Sequence, residues 1–363
     1  MERKTLTVGL LFGGESPEHE VSIVSAKSIA RHLDRDRFQL VPIGVARNGV
    51  WAVLGDPFAR LADGELPTKS DCQFLPLERG GEQFGLPDVF FNMIHGAGGE
   101  DGQIPGYLEM LKVPCTGAGR LALAAAMDKW IAKSIWESAG LPVTPYRAIS
   151  EEAWNLDLRG FIGQCLELGL PLFVKPANTG SSVGIEKVKD AARLQQAIND
   201  AFRYDRRVLV ERGIDAREIE VAVLGGYDPI VSAPGEVLVA GEFYDFADKY
   251  VDGKSSTQVP ADLDHVTAQT IKDMTRRAFL SLDGYGLARV DFFLDRKTGD
   301  IYLNEINTIP GFTSISMFPK LLESAGLPYK EQIAMLIDLA ISRHKQTAGK
   351  LAGYRSGSEW FKS

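Results

Sequence analysis

The chain of 363 residues is long enough for roughly two to three domains at about 150 residues each, and its 45% hydrophobic and 24% charged content excludes disorder for the bulk of it. No apolar run reaches the roughly 18 residues of a membrane helix, and the opening Met1-Glu2-Arg3-Lys4-Thr5 lacks the apolar stretch and cleavage site of a secretion signal. Lys and Arg number 40 against 48 Asp and Glu, and the net charge of −8 argues against a nucleic-acid surface; three scattered cysteines (Cys72, Cys115, Cys165) with no CxxC pair suit a reducing cytoplasm. The apolar run at 5–12 reads as a strand closed by Gly13-Gly14, and Val21, Val24 and Ile29 fall at helical spacing within a helix over 21–32. A second strand over 38–45 would lie parallel to the first, as in an α/β unit. Residues 50–85 are punctuated by Gly, Pro and Asp and yield no firm element. A buried-type strand over 89–94 ends at His95-Gly96, and a helix begins near Gln103.

From Gly117 onward the pattern predicts helices across 120–139 and near 189–203, with strands over 171–175 and 182–187 between them. Residues 208–211 read as an edge strand, and 218–224 alternate charged and apolar residues as a half-buried antiparallel strand does. Helices over 262–283 and 329–344 and strands over 286–294 and 301–305 complete the ordered pattern. The remainder, 346–363, is a polar tail.

Three stretches carry chemistry. In the strand Gly286-Leu287-Ala288-Arg289-Val290-Asp291 the period of two puts Arg289 and Asp291 on one face. The chain turns at 296–300 and returns with Asn304-Glu305-Ile306-Asn307, so a hairpin gathers Asp291, Glu305 and Asn307 as three oxygen donors suited to Mg²⁺ shared with a phosphate. The plainer reading, a hairpin with solvent-facing polar residues, leaves the Thr308-Ile309-Pro310-Gly311 continuation without a purpose. Lys175-Pro176-Ala177-Asn178-Thr179-Gly180-Ser181-Ser182-Val183-Gly184 delivers a lysine into a loop rich in backbone N–H donors for phosphate; it is not a Walker A loop, and a plain flexible hairpin is the alternative. Glu211 and Glu218 stand where carboxylates could meet an adenine amino group and ribose hydroxyls, although in isolation solvated surface charge is the better reading of them.

Together these stretches resemble the ATP-grasp superfamily. The resemblance narrows through Phe12-Gly13-Gly14-Glu15-Ser16-Pro17-Glu18-His19-Glu20-Val21-Ser22, the loop 95–102 (HGAGGEDG), Met127-Asp128-Lys129, the stretch 242–250 (EFYDFADKY) and the stretch 304–314 (NEINTIPGFTS). These motifs, in this order, are similar to the D-alanine–D-alanine ligase family over residues 5 to about 345. The resemblance implies a mixed α/β and α+β chain: an ATP-grasp fold with an N-terminal Rossmann-like (pre-ATP-grasp) α/β domain. Its expected divisions are a substrate-binding domain at 1–116, a central subdomain at 117–215, and a C-terminal subdomain at 216–345 with a lid loop at about 242–258.

The implied activity joins two D-alanines with ATP through a D-alanyl phosphate. By resemblance Lys129, Lys175 and Lys249 contact the ATP phosphates, with Ser181, Ser182 and Val183 of the glycine loop, while Glu211 and Glu218 read adenine and ribose. Asp291, Glu305 and Asn307 hold two Mg²⁺, with Mn²⁺ as a substitute, and Arg289 with the N–H of Gly311 stabilises the tetrahedral intermediate. Glu18 pairs with the ammonium of the first D-alanine, His95 lies near its carboxylate, and Glu18, Ser181 and Tyr250 form a hydrogen-bonded triad. Ser316 and Met317 meet the second D-alanine. The resemblance further implies a cytoplasmic homodimer of a peptidoglycan-building bacterium, with neither a nucleic-acid nor a membrane partner. Phe246 stands where many relatives have a second lid tyrosine, and Gly213 where some carry a bulkier residue near adenine. D-Lactate or D-serine is the alternative second substrate; Tyr250, commonly replaced in D-lactate users, favours D-alanine. A nucleotide-binding regulator would lack a metal ligand or the arginine, and none is missing; an NAD-dependent dehydrogenase is excluded because no GxGxxG follows the first strand.

Overall fold

A computed structural model describes residues 5–52, 58, 86–180, 182–238, 256–348 and 350. Three sheets follow one another along the chain. The first is built on β1 (Leu6–Gly13), with β2 (Phe38–Val45) and β4 (Val89–Asn92) parallel to it on either side and the short β3 (Trp51–Ala52) antiparallel at the edge. Helix α1 (His19–His32) crosses between β1 and β2. The entry to α1 needs glycine, since a Cβ on Gly13 (φ +92°) would lie 2.2 Å from the Val45 carbonyl oxygen. Most of the 50–85 stretch lies outside the described residues.

Helix α2 (Gln103–Met110) leads to α3 (Arg120–Met127) and α4 (Lys129–Ser138). The helical stretch expected across 120–139 is divided in two, because Asp128 leaves helical geometry (ψ 104°) and its side chain accepts the Ile131 N–H as an N-cap. The second sheet has the order β5 (Tyr146–Ser150), β8 (Arg207–Arg212), β6 (Leu172–Pro176), β7 (Glu186–Val188), all antiparallel. Between β5 and β6 run two short helices absent from the sequence reading, α5 (Glu151–Leu156) and α6 (Leu158–Leu166), and α7 (Ala191–Ala201) joins β7 to β8. Two expectations are corrected here. β8 is an inner strand rather than an edge, and β7 starts at Glu186, because residues 182–184 form a turn with Ser182 (φ +60°) and Gly184 (φ +74°) left-handed.

The third sheet runs β12 (Ser256–Gln258), β11 (Gly235–Leu238), β9 (Ala216–Gly225), β13 (Gly286–Asp295), β14 (Ile301–Asn307), with β10 (Ile230–Val231) paired to β9. One face packs Ile219, Val221, Val223, Val290 and Phe292 against α8 (His265–Ser281), α3 and α4 in a core that includes Trp136 and Phe279. The last helices, α9 (Met317–Ser324) and α10 (Tyr329–Ala348), do not form a core of their own. Their Phe318, Leu321, Ile333, Leu336 and Ile337 pack with Phe12, Ile23, Ile29 and Phe91 of the first sheet and its helix, and with Leu224 and Leu287 of the third. The C-terminal helices therefore fasten the first layer to the last. Among the described residues, no helix is long and apolar enough to cross a membrane.

Candidate active site

The second face of the third sheet carries the polar residues. Antiparallel register sets Asp291 opposite Glu220 on β9 and opposite Glu305 on β14, and Arg289 opposite Asn307. Directly opposed residues share a face, so Glu218, Glu220, Arg289, Asp291, Glu305 and Asn307 occupy one surface. A bulge after Asp291 keeps this pairing: Phe292 then faces Leu303, and Asn304 is the extra residue. The hairpin inferred from sequence is present in this form.

Arg289 is clasped by carboxylates. Its Nε and Nη2 donate to the two Asp291 oxygens at 2.8 and 2.7 Å, and Nε lies 3.2 Å from a Glu220 oxygen. Burial opposes the charge of this guanidinium, but Asp291 and Glu220 hold its pKa well above the ordinary arginine value. Glu220, buried at 7% exposure, was not singled out from sequence, although its spacing of two from Glu218 is the signal for a shared face.

The lysines converge from the other side. Lys129 opens α4, and its Nζ donates to the Thr179 carbonyl in the glycine loop at 2.6 Å. Lys175 leaves β6 and donates to Glu211 of β8 at 2.7 Å, while Lys133, one helical turn after Lys129, reaches the other Glu211 oxygen at 3.2 Å. All three members of this Lys–Glu–Lys group are buried. Burial works against the Glu211 charge, yet Lys133 and Lys175 hold its pKa at about 2. Burial lowers Lys129 and Lys133, with Glu305 among the charges pulling them back up; burial also opposes the Lys175 charge, but Glu211 more than compensates. The Glu305 charge thus lies near enough to act on all three lysines. Lys133 escaped the sequence reading; the i, i+4 spacing from Lys129 was the available sign.

The glycine loop is folded on itself: Val183 N–H donates to the Gly180 carbonyl, and the Thr179 hydroxyl donates to the Val183 carbonyl. A Cβ on Gly180 would lie 3.5 Å from the Glu18 carboxylate, and one on Gly96 3.2 Å from it, so Glu18 sits where the first-layer loop meets the glycine loop. Ser181, Lys249, Tyr250 and most of the expected lid lie outside the described residues. His95 is buried at 3% exposure, with Nδ1 2.7 Å from the Ile309 carbonyl and Nε2 3.4 Å from the Ser25 hydroxyl. Burial lowers its pKa and the Glu18 charge opposes this, which keeps the ring neutral; Nδ1–H then donates to Ile309. Glu100 completes the cluster. Its carboxylate accepts the Gly96 N–H at 2.9 Å and lies 4.0 Å from His95, and burial followed by the Glu18 charge raises its pKa to about 8. Glu100 lies within the 95–102 loop that carries part of the family resemblance, and nothing local distinguishes it there from Asp101.

Gly311 abuts Ser316, whose Oγ would be 3.2 Å from a Cβ at that position. The Ser316 hydroxyl pairs with that of Thr313 at 2.7 Å and makes no side-chain cap to α9, so the Met317 and Phe318 N–H groups at the start of that helix are left without a side-chain acceptor from Ser316. Met317 packs in the core that holds the first and third sheets together.

The donor chemistry fits a hard divalent cation: two carboxylates and an amide oxygen, from Asp291, Glu305 and Asn307, on adjacent strands. Among the described residues no three His, Cys, Asp or Glu side chains converge on one metal position.

Family models describe the chain in two stretches: residues 7–118 match the D-ala D-ala ligase N-terminus and residues 135–338 the D-ala D-ala ligase C-terminus. A D-alanine–D-alanine ligase of Heliobacterium modesticaldum is 44% identical over 350 residues, covering 94% of this chain and 96% of that one. The structure of the D-alanine–D-alanine ligase from Coxiella burnetii superposes with TM-score 0.83 at 34% identity, covering 95% of this chain and 96% of that one. The VanG D-Ala:D-Ser ligase from Enterococcus faecalis superposes with TM-score 0.81 at 31% identity, covering 93% and 100%.

Proposed function

The chain belongs to the D-alanine–D-alanine ligase family of ATP-grasp enzymes, and from that premise we propose that it joins two D-alanines at the expense of ATP, giving D-alanyl-D-alanine for peptidoglycan precursors. The observation that carries this reading is the single sheet face bearing Glu218, Arg289, Asp291, Glu305 and Asn307 opposite Lys129 and Lys175. An oxygen of the first D-alanine carboxylate attacks the γ-phosphorus of ATP, ADP leaves, and the amine of the second D-alanine attacks the resulting acyl phosphate with loss of inorganic phosphate. Such transfer needs positioning and charge neutralisation rather than a covalent protein group.

On this reading Lys129 and Lys175 hold ATP phosphates, which requires each to leave or share its present partner, the Thr179 carbonyl and Glu211. Ser182 and Val183, with Ser181, cover the phosphates, Lys249 reaches them from the lid, and Glu211 and Glu218 line the adenosine side. Asp291, Glu305 and Asn307 are the residues that would hold two magnesium ions, whose charge would neutralise that of the phosphates. Glu18, flanked by Gly96 and Gly180, takes the ammonium of the first D-alanine in a triad with Ser181 and Tyr250, with neutral His95 near its carboxylate. Arg289 and the Gly311 N–H meet the oxyanion, where charge appears only as the amine attacks. Ser316 and the N-terminus of α9 receive the second carboxylate, with Met317 beneath them. The chain works in the cytoplasm as a homodimer.

The test is phosphate release from ATP and Mg²⁺ with D-alanine, with L-alanine, and with D-alanine plus D-lactate or D-serine, the products identified by mass. Turnover with D-alanine alone and a D-alanyl-D-alanine product is expected. A mixed product that dominates in competition would move the chain to the D-serine or D-lactate ligases; no release with any amino acid would overturn the ligase reading.

A further inference from the structure

Across β9, β13 and β14, Glu220, Asp291 and Glu305 form one row of three carboxylates on neighbouring strands. Like charges directly opposed on a sheet destabilise it, and a buried carboxylate is costly without a partner. Ile219 and Val221, on either side of Glu220, face the opposite way into the core, so the sheet itself gains nothing from an acid at 220. What Glu220 does touch is Arg289: its carboxylate lies 3.2 Å from Nε, the same nitrogen that donates to Asp291 at 2.8 Å, so it is in place to take that N–H if Asp291 lets go.

Asp291 has two claims on it. It forks Arg289 here, and the proposed function also makes it a ligand of a divalent cation. Cation binding draws charge from that carboxylate and weakens its hold on a guanidinium. Glu220 carries no such second role, since it lies on the far side of Asp291 from Glu305 and Asn307. We propose that Glu220 is the positioning residue that keeps Arg289 aimed at the reacting carbonyl once Asp291 is engaged elsewhere. This inference rests on the reading of Arg289 as the oxyanion donor.

The experiment separates the two chemical steps in the full-length protein. Acyl phosphate formation is followed by positional isotope exchange of the bridging oxygen of ATP in the presence of D-alanine, and ligation by dipeptide formation. Glu220→Gln, which keeps shape and removes charge, is expected to slow ligation about tenfold and to change the exchange rate less than about twofold. Glu220→Asp recovers part of the loss, and Glu220→Gln added to Arg289→Ala costs nothing further. In ligand-free protein the Arg289 Nε–H resonance is expected to persist on adding Mg²⁺, and to be lost under the same addition in Glu220→Gln. Should Glu220→Gln fail to fold, Glu220→Asp carries the same comparison, with a smaller but equally step-selective loss. Equal slowing of both steps, no slowing of either, or losses that add to those of Arg289→Ala would overturn the inference. Full ligation by Arg289→Ala would instead remove the oxyanion reading on which it rests.

Discussion

Glu211 is shared by two buried lysines, and its removal strands both. Glu211→Gln leaves Lys133 and Lys175 without their counter-charge, at a cost of about 3–5 kcal/mol, the usual penalty for breaking a buried pair. The pH dependence has a definite sign. The folded carboxyl titrates at about 2, below its ordinary 4.5, so its stabilisation is whole above pH 4.5 and fades as pH falls from there toward 2. The gap in urea midpoint between the parent and Glu211→Gln is therefore expected to be widest near neutrality and to close on acidification below pH 4.5. Glu100 has the opposite sign. Its carboxyl is raised from 4.5 to about 8, so the folded state favours the protonated form, and that contribution is lost as pH rises from 4.5 through 8. Glu100→Gln, which mimics the neutral acid, is expected to gain stability relative to the parent across that window and to level off above it. A gap that stays flat with pH would show that Glu100 titrates normally.

At the scale of an element, the 95–102 loop has its shape dictated by close approach. Glu100 N–H donates back to the Gly96 carbonyl, Gly98 N–H to Asp101, and Asn92 Nδ2 to the Gly99 carbonyl. A Cβ on Gly99 would lie 1.9 Å from the Ile94 carbonyl oxygen, a backbone atom that cannot move aside. Gly98, left-handed at φ +89°, would place a Cβ only in ordinary contact, 3.8 Å from Ile104 Cδ1. Gly98→Ala is therefore expected to cost about 1–2 kcal/mol of conformational strain, and Gly99→Ala that much or more from overpacking, with a raised KM for the first D-alanine in the latter. Thermal melting and KM measured on the two variants check this ordering. The lid supplies a second prediction, resting on sequence alone. Tyr250→Phe is expected to shift product toward D-alanyl-D-lactate when both second substrates compete, and an unchanged product ratio would take Tyr250 out of the choice of nucleophile.

Over the whole molecule, what could be read from the sequence was what local periodicity encodes. Alternation along 286–294 and the returning strand put Arg289, Asp291, Glu305 and Asn307 on one face, and three strands of the first sheet, β1, β2 and β4, were legible as apolar runs, whereas the two-residue β3 fell in the 50–85 stretch that yielded no firm element. Long-range pairing was not legible. Nothing local marks β8 as an inner strand, or tells that Lys133 meets Glu211, because those facts depend on which strand lies alongside. Helices α5 and α6 were missed because they are one to three turns long, and Gly160 and Gly163 weaken the pattern of α6. The packing of α10 on the first sheet is likewise a tertiary fact, and Tyr329 concentrates it. Its ring packs beside Phe312 and His32, and its hydroxyl donates to the Phe312 carbonyl at 2.6 Å and pairs with the Ser28 hydroxyl at 3.0 Å. One phenol thereby joins α1, the Gly311–Ser316 loop and the last helix. Tyr329→Phe keeps the ring and removes only that link, for an expected loss of about 1–2 kcal/mol, since the Phe312 carbonyl is left buried without its donor. Because the same loop bears Gly311 and Ser316, KM for the second D-alanine is expected to rise more than KM for ATP. Equal changes in both constants would mean that the hydroxyl stabilises the fold without setting the loop.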